Sequence, residues 1–73
     1  MSSKLVLLPD SDLETRLTDL WMSNLLLTGG WSWVHFIKSL DTNITNIEFS
    51  SDGIATIIFN SNRDKTFFIL KWL

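Results

Sequence analysis

The single histidine of this 73-residue chain, His35, is the first residue to consider as a catalytic base. A nucleophilic triad needs a serine or cysteine, a base and an orienting carboxylate that converge in space. His35 lies between Val34 and Phe36 in an apolar segment, and the chain has no cysteine. This setting is typical of a packed or partly exposed structural histidine. The sequence therefore predicts a protein that is not an enzyme and has no catalytic residue.

Three acids near the amino terminus, Asp10, Asp12 and Glu14, are close enough in sequence to suggest a metal site or an acid and base pair. A calcium loop also needs a central glycine and a later glutamate, which the residues from Thr15 onward do not supply. Ser11 followed by Glu14 is instead the pattern of a capping box at the start of a helix. A structural zinc site lacks cysteines and a second histidine. We expect neither a metal ion nor a cofactor.

Gly29 and Gly30 are the one glycine cluster that could cradle a phosphate group. No lysine follows them directly, and the spaced third glycine of a phosphate-binding loop is missing. The pair is more simply a hinge between two helices.

The basic residues are scattered, and the formal net charge is -2 with an isoelectric point near 5.0. Proteins that bind nucleic acid usually collect their basic residues on one face. The one cluster is Arg63, Lys65 and Lys71. A small dimeric regulator that contacts nucleic acid through these three residues is the alternative function, although we do not expect a nucleic-acid partner.

The composition, with 45% hydrophobic and 19% charged residues, predicts a single folded domain over residues 1–73. Residues 10–40 form the helical half, with one helix over 12–28 and a second over 31–40, although the aromatic and branched residues of 31–40 also suit a strand. Leu26 and Leu27 make the end of the first helix apolar nearly all round, so something should cover it.

The β half, residues 42–73, contains three runs rich in Ile, Thr and Phe, over 43–50, 53–60 and 65–73. A two-residue turn at Asp52 and Gly53 would place Phe49 opposite Thr56. The predicted fold is α+β, with an N-terminal helical hairpin packed on a three-stranded antiparallel β-meander. Residues 4–8 could add a short N-terminal strand.

In that arrangement the last two strands carry apolar residues on both faces, and the helices can cover only one face. The sequence therefore predicts a small non-catalytic interaction module, acting as an adaptor, an inhibitor or an accessory subunit through an apolar sheet face and exposed tryptophans. Its partner is another protein or a second copy of the chain, and a homo-oligomer is expected. The interface candidates are Trp31, Ile57, Phe59, Phe68, Leu70 and Trp72.

The apolar run over residues 5–8 is shorter than the roughly 7 to 15 residues of a secretory signal. The most apolar window, over residues 25–40, is interrupted by glycines and polar residues and falls short of a spanning helix of about 18 residues. The sequence predicts a cytoplasmic protein without a membrane segment.

Overall fold

Seven elements follow one another in the computed structural model, which describes residues 2–72 of the chain. Together they form a small α+β domain. The elements are β1 (Ser3–Leu7), α1 (Asp12–Ser23), α2 (Leu25–Thr28), α3 (Trp33–Leu40), β2 (Ile44–Phe49), β3 (Ala55–Phe59) and α4 (Asn62–Trp72).

The three strands form an antiparallel sheet in the order β1-β3-β2, with β3 in the centre. Along β3, Ala55, Ile57 and Phe59 are buried, whereas Thr56 and Ile58 between them are only half-buried. This alternation shows that the helices cover one face of the sheet. The core lies between that face and the helices, to which α1, α3 and α4 contribute Leu13, Leu17, Phe36, Ile37 and Phe68.

The predicted helical hairpin on a β-meander is wrong, because the third strand of the sheet is not residues 65–73. The N-terminal segment takes that place as β1, which pairs with β3 so that Leu5 lies opposite Ile57. The last part of the predicted β half, which extended over residues 42–73, forms the helix α4 instead.

Ser61 caps the first turn of helix α4. The Ser61 hydroxyl accepts a hydrogen bond from the Asp64 amide at 3.2 Å and donates one to the Asp64 carboxylate at 3.0 Å. Phe68 and its half-buried neighbours Ile69 and Trp72 then pack on the core at helical spacing. The pattern that predicts a strand over residues 65–73 comes from Phe67 and Leu70, which this helix leaves exposed to solvent.

Replacing Ser61 with alanine is expected to lower the free energy of unfolding by about 1 kcal/mol, because the first turn of α4 loses its cap. Urea unfolding followed by circular dichroism measures this difference. Ser51→Ala, in the exposed β2–β3 turn, is the matched control and should change stability little. Equal effects of the two substitutions would contradict the capping role.

The β2–β3 turn is one residue longer than predicted. The Gly53 amide donates to the Ser50 carbonyl at 2.9 Å, and the Ser50 amide donates to the Ile54 carbonyl at 3.0 Å. Gly53 has a φ of +81°, which favours glycine. Phe49 consequently lies opposite Ala55, not Thr56. The shift of one residue brings Ala55, Ile57 and Phe59 to the core side.

The predicted helix over residues 12–28 is divided at Asn24, whose side-chain amide donates to the Leu20 carbonyl at 2.8 Å. Gly29, with a φ of +74°, ends the short helix α2. Residues 33–40 are helical, not extended. Ser32 caps α3 by accepting a hydrogen bond from the His35 amide at 3.2 Å.

The longest helix of residues 2–72 is α1, with 12 residues. A helix that crosses a bilayer needs about 20 residues. In this described part of the chain, no helix has the length and apolar character required to span a membrane.

Candidate interaction surface

Three of the six interface candidates lie inside the protein. Ile57, Phe59 and Phe68 are core residues, and the rings of Phe59 and Phe68 pack with their centroids 5.2 Å apart. Their side chains are inaccessible to a partner of the folded chain. The prediction placed them on a surface because it treated residues 65–73 as a strand and shifted the β2–β3 pairing by one residue.

The sheet face opposite the helices is mixed in character, because the apolar third strand expected there is a helix. The pairing of the strands brings six residues to this face: Lys4, Val6, Asn46, Glu48, Thr56 and Ile58. A predominantly apolar sheet face, as the sequence predicted for the interface, is therefore not what the described residues form.

Trp72 is half-buried and packs against Phe68, with ring centroids 6.5 Å apart. Its indole nitrogen is buried and has no hydrogen-bond partner among residues 2–72. Leu70 and Trp31 are exposed. Of the six candidates, these last two lie on the surface, and their interface role stays a prediction.

The basic residues of the alternative function divide between two sides of α4. Arg63 and Lys71 are exposed, whereas Lys65 is half-buried on the core side. The Arg63 guanidinium lies 5.4 Å from the centre of the Phe67 ring, and the Lys71 ammonium lies 5.1 Å from that of Trp72. The predicted nucleic-acid contacts thus form no single basic patch, and that function stays an untested alternative.

Helix α4 has an outer face that carries exposed apolar residues. Phe67 is 56% exposed and Leu70 is 72% exposed, one helical turn apart. We call this surface the α4 outer face, and its members are Arg63, Thr66, Phe67, Leu70 and Lys71, all exposed.

The most exposed apolar side chains lie where α1 turns into α3. Leu26 is 97% exposed and Leu27 is 84% exposed, and α2 contains no buried residue. Met22 precedes them on α1 and Trp31 follows them, and both are exposed. We call Met22, Leu26, Leu27 and Trp31 the leucine corner.

Hydrogen bonds hold the backbone of the leucine corner in one shape. The Gly30 amide donates to the Leu25 carbonyl at 2.9 Å, and the Trp31 amide donates to the Thr28 hydroxyl at 3.3 Å. The Trp21 indole donates to the Trp31 carbonyl at 2.8 Å, which joins the end of the corner to α1. These bonds fix the turn that projects Leu26 and Leu27 into solvent.

His35 contacts the leucine corner through Trp31, with ring centroids 4.3 Å apart. It is exposed on α3, and the aromatic contact accounts for its position without assigning it any chemistry. Near the start of α1, Ser11 and Glu14 form half of the predicted capping box, because the Ser11 hydroxyl accepts from the Glu14 amide at 3.3 Å. Within residues 2–72 no three His, Asp or Glu side chains are grouped as a metal site would need.

The interface candidates from the sequence did not include Leu26 and Leu27, although the all-round apolar end of the first helix was the signal that pointed to them.

Comparison with family models, with curated proteins and with solved structures finds no match for the chain.

Proposed function

We propose that this chain is a non-catalytic protein-interaction module, serving as an adaptor, an inhibitor or an accessory subunit, and that it binds a partner protein through the leucine corner. The observation that carries the proposal is the exposure of Leu26 and Leu27, at 97% and 84%. Each leucine buried in a partner would contribute about 1.5–3 kcal/mol to binding. The hydrogen bonds of the turn order its backbone before binding, which reduces the backbone entropy lost on association.

The lack of charged residues in the segment that contains the leucine corner favours a protein as the partner. Residues 20–34 contain no Asp, Glu, Lys or Arg. Helices that bind membrane surfaces and proteins that bind nucleic acid both use basic residues close to the contact. An uncharged, apolar projection suits an apolar groove on another protein.

The shape of the leucine corner favours a partner different from the chain itself. A two-fold dimer brings the same surface of both subunits together, and two projecting corners complement each other poorly. Helix α2 has four residues, whereas a stable interface usually buries about 800 Å² on each partner. A concave groove that surrounds the corner can bury more of it.

Capture from an extract of cells that express the chain tests this proposal. The tagged wild-type chain should capture one partner in a saturable manner, and Leu26→Ser/Leu27→Ser should reduce the affinity for that partner by at least about 100-fold. Free untagged wild-type chain should compete with the capture. Binding retained by the double variant would contradict the assignment of the surface.

The α4 outer face supplies the matched control, because Phe67→Ser/Leu70→Ser also replaces two exposed apolar residues. This variant should bind the partner like the wild type. Loss of binding in the control alone would move the interface to α4, where the candidate Leu70 lies. Both double variants should keep the free energy of unfolding within about 1 kcal/mol per site, because exposed side chains contribute little to folding and Phe67 loses only its contact with Arg63.

A further inference from the structure

A cavity lies between the start of α1, the start of α3 and the β2–β3 turn, apart from the leucine corner. Its volume is about 290 Å³, near the lower end of the range for pockets that take small ligands. Most of its lining is apolar, including Leu7, Pro9 and Ile54. The lining also includes two aromatic side chains, Trp33 and Phe49, and two polar side chains, Glu14 and Thr18.

The Glu14 carboxylate is available to this cavity because it does not complete the capping box of α1. The backbone amide of Ser11, which that carboxylate would bind in a full capping box, donates instead to the Leu8 carbonyl at 3.1 Å. One Glu14 oxygen accepts a hydrogen bond from the Thr18 hydroxyl at 3.1 Å. The lining residues include no Lys, Arg or His. A carboxylate thus lines an apolar cavity without a basic neighbour in the lining.

Trp33 and Phe49 lie next to each other in the lining of this cavity. The ring centroids of Trp33 and Phe49 lie 6.1 Å apart, with an angle of 59° between the planes. A cation is attracted to the face of an aromatic ring when it lies within about 6 Å of the centroid. Phe49 is 55% exposed, so its ring is accessible from solvent.

We propose that this cavity binds an alkylammonium group, with Trp33 and Phe49 contacting the cation and Glu14 neutralising its charge. A quaternary ammonium fits best, because a primary ammonium brings three hydrogen-bond donors and Glu14 and Thr18 are the side-chain oxygen acceptors of the lining. The site shares no residue with the leucine corner, so it can fail or succeed independently of the proposed protein interaction.

Titration of the full chain with choline, monitored by nuclear magnetic resonance, tests the proposal. The Trp33 indole N–H and the Gly53 amide report on the cavity, whose lining includes both residues. The control ligand is 3,3-dimethylbutan-1-ol, the uncharged analogue of choline with the same shape. We expect saturable shifts with choline and an affinity about 10-fold to 25-fold weaker for the neutral alcohol, because the alcohol lacks both the cation–ring attraction and the attraction to the Glu14 carboxylate.

Two substitutions separate the charge from the aromatic contact. Glu14→Gln and Phe49→Leu should each weaken choline binding about threefold to fivefold, and Glu14→Gln should leave the affinity for the neutral alcohol unchanged. Asp12→Asn removes a neighbouring charge of the same helical turn and should have no effect. Equal affinities for choline and the alcohol, or unchanged choline binding in both cavity variants, would overturn the proposal.

The same titration with a short peptide that contains trimethyllysine distinguishes the source of the ammonium group. Tighter binding of this peptide than of choline, with no binding of the unmodified lysine peptide, would assign the cavity to a modified side chain of a protein. Tighter binding of choline would assign it to a free small molecule. Both results support a quaternary ammonium site, and saturation by neither ligand would overturn it.

Discussion

Replacing Phe68 with alanine is expected to lower the free energy of unfolding by about 3–5 kcal/mol. The side chain is 1% exposed and its ring packs on Phe59 in the centre of the core. Its removal leaves a cavity between α4 and the sheet, in addition to the lost apolar burial. A domain of this size has a stability of only a few kcal/mol, so a substantial fraction of the Phe68→Ala chain should be unfolded at room temperature.

Phe67→Ala is the matched control for this substitution, because it removes the same kind of ring from the preceding position in the sequence. Phe67 is more than half exposed, and the Arg63 guanidinium lies 5.4 Å from the centre of its ring. The expected loss is below about 1 kcal/mol, mostly from the cation–ring contact. Urea unfolding of the two variants measures both values. A larger loss for Phe67→Ala than for Phe68→Ala would contradict the packing of α4.

Replacing Thr66 with proline should lower the free energy of unfolding by about 3 kcal/mol, because residue 66 lies inside α4. Proline there removes a backbone hydrogen bond and clashes with the carbonyl one turn earlier. The far-ultraviolet circular dichroism signal of helix should fall together with the midpoint of thermal unfolding.

Asn62→Pro is the control for this second substitution. Asn62 is the first residue of α4, and proline is well tolerated at the first position of a helix, where its missing N–H would have no helical partner. Asn62→Pro should therefore change stability much less than Thr66→Pro. Equal effects of the two prolines would be inconsistent with a helix that begins at residue 62.

The sequence predicted the α+β class, strands over 43–50 and 53–60 where β2 and β3 lie, and a helix over 31–40 where α3 lies, although a strand also suited that last segment. The patterns of these elements are local. The predicted strand over residues 65–73 is wrong, because the helix α4 covers residues 62–72. The spacing of Phe68, Ile69 and Trp72 is helical, but Phe67 and Leu70 fill the positions that would otherwise be polar. Exposed apolar residues thus hide the helical pattern of this segment.

The sequence contained part of the evidence for the leucine corner, since Leu26 and Leu27 lie beyond the apolar stripe of the first helix. Their near-complete exposure depends on the break at Asn24 and on the left-handed Gly29, which together set the direction of α2. The cavity proposed to bind an alkylammonium group could not be predicted at all. It joins Glu14, Trp33 and Phe49, which lie on three different elements and come together only through tertiary packing.

The measurement that tests the interaction surface most directly is photo-crosslinking from position 27. A chain with benzoylphenylalanine in place of Leu27 should form one dominant adduct with a partner in cell extract, and excess wild-type chain should abolish it. The same group in place of Phe67 should form no such adduct. An adduct from position 67 alone, or an adduct with the mass of two copies of this 8.4 kDa chain, would contradict a foreign partner bound at the leucine corner.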